Sequence, residues 1–171
     1  MAKLAGKKTI SVDEMSQEVD LKRYLGRTPT TEEKMLFAEL AIEQINQRTL
    51  DGKTIHGGKF KKYSKTYADL KGVSRDSVDL FLEGNMLDSV VTDFDDSNRV
   101  KIFINDDLNT AKGFNHHVGD TTKKRPWFGL TTDEVRSLSE QVKQPSQQQE
   151  QGFTLADLQA ALAQIGLEQV D

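Results

Sequence analysis

The sequence predicts an α+β fold: a small antiparallel sheet packed against a long central helix, with an amphipathic C-terminal helix tethered behind. Three observations carry this expectation. A capped helical pattern runs from Thr30 to Gln47. Val100, Ile102 and Ile104 alternate with Lys101 after a polar turn, as in the second strand of a hairpin. Apolar residues return at helical spacing after a glutamine-rich stretch near the C-terminal end.

The elements follow in order. Residues 8–12 (KTISV) alternate as a short strand. Residues 13–25 carry Met15, Val19, Leu21 and Leu25, a weaker helical pattern that ends at Gly26. Thr30 and Glu33 then form a capping box, which satisfies two orphan backbone donors at a helix start. Met35, Ala38, Ile42 and Ile45 repeat at spacings of three and four, with Phe37 and Ala41 widening the stripe. More than half of this helix is expected to be buried. Asp51-Gly52 and Gly57-Gly58 punctuate a loop around His56. Residues 64–71 predict a short helix with Tyr67 and Leu70. Val78, Leu80 and Leu82 predict a strand or extended segment ending at Gly84, and Met86-Leu87 a turn of helix.

Residues 89–94 and 99–105 predict a hairpin around Asp95-Asp96-Ser97-Asn98, followed by a helical turn from Asp107. Thr131 and Glu134 make a second capping box, opening a helix with Val135, Leu138 and Val142 on one stripe. PSQQQEQG, with nothing to bury, is a linker. Thr154 and Asp157 open the last helix, whose Leu155, Leu158, Leu162 and Ile165 share a face, with Gly166 as its C-cap. A helix of about a dozen residues is marginal alone in water, so this face must dock, either on its own domain or on a partner. The expected organisation is a domain over 1–144, a linker over 145–153 and the helix segment over 154–171.

The totals narrow the function. The chain has 171 residues, enough for one core. It has no cysteine, which excludes a disulfide framework or thiolate metal site. Apolar runs are too short for a transmembrane helix, mean hydropathy is -0.60, and MAKLAGKKTISVDE has no apolar signal region. No membrane partner is expected. Net charge is -4, unlike a dedicated nucleic-acid binder. Two local basic clusters, Lys59–Lys65 and Lys123–Arg125, are either solvated surface or contacts for phosphate or an acidic subunit.

No catalytic constellation emerges. His116 and His117 are adjacent, so they point apart on a helix or strand and do not readily ligate one metal. There is no HExxH, and neighbouring Asp106, Asp107 and Asp120 are the carboxylates a metal-dependent hydrolase alternative would need. A calcium loop counted from Asp93 puts Asn98 at the turn glycine and Ile104 at the bidentate glutamate, so it fails. Gly57-Gly58 is no phosphate loop and no serine lies in a nucleophile elbow. No catalytic residue, metal ligand or cofactor is expected. In RPWFGLT, Arg125, Trp127 and Phe128 suit an interface anchor or, equally, a core plug before a helix.

The order of these features resembles that of bacteriophage virion morphogenesis proteins, the tail-completion or head–tail joining proteins of the neck. The matching pieces span roughly residues 8–143. They are the long helix, F-x-x-Y-S-x-x-Y (Phe60, Tyr63, Ser64, Tyr67) and L-x-L-x-G-x-M-L (Leu80, Leu82, Gly84, Met86, Leu87). A hairpin, H-x-G (His117, Gly119) and R-P-x-F-G-L-[ST] (Arg125, Pro126, Phe128, Gly129, Leu130, Thr131) complete the set. The resemblance implies a non-enzymatic virion protein assembled in the host bacterial cytoplasm. It would form a homo-oligomeric ring around the DNA channel at the head–tail junction, with motif residues in structural roles. Its neighbours would be neck proteins on the portal or adaptor side and the tail terminator or tube on the other, with passive contact to phage DNA in the lumen. A tail terminator and a host-directed adaptor using the last helix are the alternatives.

Overall fold

The computed structural model describes residues 3–78, 80, 85–119 and 124–144. Strands β1 (Lys7–Ile10), β2 (Met15–Asp20), β3 (Val90–Asp93) and β4 (Arg99–Ile104) form one sheet in the order β1-β2-β4-β3. Every neighbouring pair is antiparallel. The helices are α1 (Lys22–Leu25), α2 (Thr31–Leu50), α3 (Lys65–Lys71), α4 (Asn85–Asp88), α5 (Asp107–Val118) and α6 (Thr132–Lys143). The fold is α+β, as expected.

The sheet has a dry face and a wet one. Gln17 pairs with Ile102 and Val19 with Val100, so alternation puts Met15, Gln17 and Val19 on the same side as Val100, Ile102 and Ile104. All six are buried. The opposite side carries charge of alternating sign across four strands: Lys7 faces Glu18, Glu18 faces Lys101, and Lys101 faces Asp93. Opposite charges placed directly across strands are favourable and keep that face in water.

Both capping boxes form. The Thr30 hydroxyl accepts the Glu33 N–H at 3.2 Å while the Glu33 carboxylate accepts the Thr30 N–H at 2.9 Å. At α6 the corresponding distances for Thr131 and Glu134 are 3.2 and 2.7 Å. Helix α2 packs on β3, β4 and α6, and α5 on β2 and β4. Buried Lys34 of α2 donates its ammonium to the Asp95 and Ser97 carbonyls, tying the helix to the β3–β4 turn.

Four sequence expectations need correction. Residues 15–20 are strand β2, and only Lys22–Leu25 is helical. Met15, Val19 and Leu21 fit a strand period as well as a helical one, and the polar Gln17 between them masked the alternation. The buried stripe of α2 runs through Phe37, Ala38, Ala41 and Ile45 to Arg48, whereas Met35 is 50% exposed. The turn expected at Asp107 is a helix of 12 residues, capped by the Asp106 carboxylate on the Asn109 N–H. Leu80 has φ 54°, which is not extended, although it and Val78 are buried. Leu82 and Gly84 of that segment lie outside the described residues. So do the linker and the amphipathic segment with Leu155, Leu158, Leu162 and Ile165.

Candidate functional site

Residues 125–131 lead into α6 as an irregular strap across the core. A buried irregular segment leaves backbone groups that no ladder satisfies, so side chains from elsewhere must supply partners. Gln17 of β2 donates its amide to the Ala5 carbonyl at 2.6 Å and the Leu130 carbonyl at 2.9 Å, and accepts the Leu130 N–H at 2.7 Å. Arg48 of α2 donates to the Trp127 and Gly129 carbonyls, both at 2.7 Å, and pairs with the Glu134 carboxylate of α6. The Phe128 N–H donates to His117 Nδ1 at 3.3 Å. The strap's backbone is then completed by Arg125 N–H to the His116 carbonyl and Ile55 N–H to the Pro126 carbonyl, at 2.6 and 2.7 Å.

The aromatic pair is interior. Trp127 and Phe128 are both 0% exposed and meet edge to face, ring centroids 5.6 Å apart. Trp127 Nε1 donates to the Gly113 carbonyl at 3.1 Å. A Cβ at Gly113 would lie 3.0 Å from both Ile104 and Trp127 side-chain atoms, so the missing side chain lets α5 close on the sheet and strap. Gly129 has φ 99°, a conformation side chains rarely adopt, and Gln17 Oε1 would sit 3.0 Å from an added Cβ. The interface role considered for Trp127 and Phe128 therefore gives way to the core role: neither ring has surface to offer a partner.

Arg125 is also buried, but it reaches outward from the strap. Its Nε donates to the Lys61 carbonyl at 3.0 Å and its Nη2 to the Lys62 carbonyl at 3.2 Å. The R-P-x-F-G-L and F-x-x-Y-S-x-x-Y segments, more than 60 residues apart in sequence, are thereby joined. Beyond this clamp, Lys62, Tyr63, Tyr67, Arg75, His116 and Arg125 line a cleft of about 460 Å³. Ser64 caps α3 by accepting the Tyr67 N–H at 3.2 Å, which sets Tyr67 against Tyr63 edge to face with centroids 4.8 Å apart. The Arg125 guanidinium lies over the Tyr63 ring at 5.3 Å, and Arg75 Nε donates to the Tyr63 carbonyl at 3.0 Å. The described lining is aromatic and basic, with no carboxylate.

Both histidines are held neutral. Burial pushes His116 down to about 4, and the Arg125 charge adds to the effect. Burial likewise pushes His117 down to about 4, helped by Lys8, Lys124, His56 and Arg48. A neutral ring is what His117 needs to accept a backbone N–H. Among the described residues no three of His, Asp or Glu converge as a metal group requires. No described helix is long and apolar enough to cross a membrane.

Of the motif residues, Tyr63, Leu80, Met86, His117 and Gly129 are buried, while Tyr67, Gly119 and Pro126 are half-buried. Gln17, Arg48 and Arg75 were not singled out by sequence. Arg48 had a signal: it lies three residues after Ile45 and seven after Ala41, a cation on the apolar face of its helix. Compared with family models, curated proteins and solved structures, the chain gives no significant match.

Proposed function

We propose that this chain is a structural virion protein of a tailed bacteriophage, a ring-forming component of the head–tail junction that completes the tail and surrounds the DNA channel. One observation carries the reading: the motif segments on which the resemblance rests are interlocked as scaffold. Arg125 ties the R-P-x-F-G-L strap to the F-x-x-Y-S-x-x-Y segment, and His117 of the H-x-G piece receives the Phe128 N–H. Residues kept for architecture behave this way, whereas catalytic groups converge on a solvent-reachable point. The surroundings of His116 and His117 agree. Each ring lies near cationic side chains, which oppose rather than attract a divalent ion.

The test is the native mass of the purified protein, with and without residues 146–171. A closed ring of about six or twelve copies is the expected result, since heterologous contacts that close give cyclic oligomers. A monomer that also fails to assemble on portal-side or tail-side proteins overturns the reading. Chelation checks the hydrolase alternative independently. The expected outcome is an unchanged melting temperature with a divalent chelator, and a clear drop would revive a metal site.

A further inference from the structure

Both edges of the four-stranded sheet are open, and they carry opposite charge. Ser11 N–H donates to the Glu14 carbonyl at 2.8 Å, so the period of two points the backbone groups of Lys7 and Thr9 at β2 and those of Lys8 and Ile10 outward. Asn105 N–H donates to the Ser89 carbonyl at 3.1 Å, which likewise turns Val91 and Asp93 towards β4 and Val90 and Thr92 outward. Among the described residues no backbone group from outside the sheet bonds to Lys8, Ile10, Val90 or Thr92. The row of charge crossing the wet face also ends unmatched. Glu18 pairs with Arg99 at 3.6 Å and Lys101 with Glu14 at 3.1 Å. Lys7 at one edge and Asp93 at the other have no ion pair among the described residues. Lysine on an edge strand guards against pairing with a like edge. β1 has two, Lys7 and Lys8, whereas β3, VVTD, has neither lysine nor proline.

We propose that β1 of one copy pairs antiparallel with β3 of a neighbouring copy, so that the sheet continues from subunit to subunit. The proposal deepens the ring reading: it names the interface, and rests on that reading for closure. The strand directions fit. β1 and β4 run one way and β2 and β3 the other, so a neighbour related by rotation about an axis along the strands sets its β1 antiparallel to β3. One register meets every requirement: Lys7 opposite Asp93, Lys8 opposite Thr92, Thr9 opposite Val91 and Ile10 opposite Val90. It sets wet-face residues against wet-face ones, dry against dry, and the outward backbone groups of one edge against those of the other. Charge then alternates without a break across the junction, Asp93 meeting Lys7 as Glu18 meets Lys101. Two-fold pairing of β1 with β1 would instead gather four lysines along one short contact, and β3 with β3 would leave Lys7 unmatched. A head-to-tail contact of this kind repeats, and closes where the rotation allows.

The chain has no cysteine, so thiols placed on the two edges report the contact directly. Thr9 and Val91 form a non-hydrogen-bonded pair in this register, with Cα atoms about 4.5 Å apart, within disulfide reach. In a single copy they lie on opposite edges, three strand spacings or about 14 Å apart, beyond that reach. Full-length Thr9→Cys and Val91→Cys variants are treated with oxidised glutathione, separately and mixed, beside native mass of the wild type across a concentration series. Melting temperature controls for folding. Lys7→Cys with Asp93→Cys, both at exposed sites, reports the same register if either half-buried site fails to fold. The mixture is expected to cross-link roughly tenfold faster than either variant alone, through the effective concentration of a docked edge. Self-cross-linking of one variant as fast as the mixture overturns the proposal in favour of two-fold pairing. A wild-type ring with no mixed cross-link at either pair of sites closes through another surface: the proposal falls and the ring reading stands. Mixed cross-linking with open-ended growth in mass upholds the edge contact and overturns the closed ring. A wild-type chain that is monomeric at every concentration removes both.

Discussion

Residues 60–75 and 125–131 are both rich in aromatic side chains, and the fold treats them in opposite ways. The strap is sunk: Trp127, Phe128 and Leu130 are each 0% exposed, and its polar backbone is met by Gln17, Arg48 and His117. The other segment is half in water. Tyr63 is buried, Tyr67 is only partly covered, Leu70 stands out in solvent, and no other described helix or strand packs extensively on α3. Aromatic density by itself does not separate core from surface. What separates these two segments is what packs around them. Side chains from β2, α2 and α5 close over the strap and satisfy its backbone, whereas Arg125 and Arg75 satisfy the Lys61, Lys62 and Tyr63 carbonyls without any other described helix or strand packing extensively on α3, so that segment stays at the boundary and lines a cleft.

Substitutions can break that contrast. The largest effect is expected at Arg48. Arg48→Met leaves the Trp127 and Gly129 carbonyls and the half-buried Glu134 carboxylate without their donor, and should cost about 3–5 kcal/mol in urea unfolding. A cost near zero would mean the strap holds without its clamp.

Lowering the pH attacks the strap without mutation. The folded pKa of His117 is pushed from 6.5 to about 4, so the unfolded chain takes up the proton first as pH falls. Stability is therefore full above about pH 6.5 and is lost between 6.5 and 4, by on the order of 3 kcal/mol for this group. His116 adds a loss of the same sign over the same window. Urea midpoints measured across that range check this, and His117→Gln, which can still accept the Phe128 N–H, should flatten the curve. A wild-type profile that is flat from pH 6.5 to 4 would contradict the buried neutral rings.

Gln17→Leu comes next. It preserves apolar volume but strips the partner from the Leu130 N–H and the Ala5 carbonyl, for about 2 kcal/mol. On the other side of the contrast the effects shrink. Tyr67→Ala should cost about 1 kcal/mol, mostly its edge contact with Tyr63. Leu70→Ser should fall within about 0.5 kcal/mol of wild type. Should Leu70→Ser prove as costly as Gln17→Leu in thermal melts, α3 would be part of the core and the contrast would collapse.

The parts of the fold readable without coordinates are those governed by residues within a few positions of one another. Thr30 with Glu33 and Thr131 with Glu134 announce two helix starts because a capping box closes within four residues, and both close as expected. Val100, Ile102 and Ile104 announce β4 because a strand alternates with period two regardless of what it packs on. Glu33, Glu134 and β4 needed no partner beyond their neighbours to be understood. Tertiary structure decided the rest. Gln17 counts as a surface residue until Leu130, 113 positions away, supplies both a donor and an acceptor. Met35 and Phe37 are equally apolar, and only the placement of the sheet and α6 says that one is buried and the other half exposed. Arg48 is a solvent cation by type and a core clamp in fact, because two carbonyls and a carboxylate about 80 to 90 residues downstream converge on it. Capping and alternation are local energies, written between neighbours. The burial of a polar group is permitted only by a partner, and that partner arrives when the chain folds.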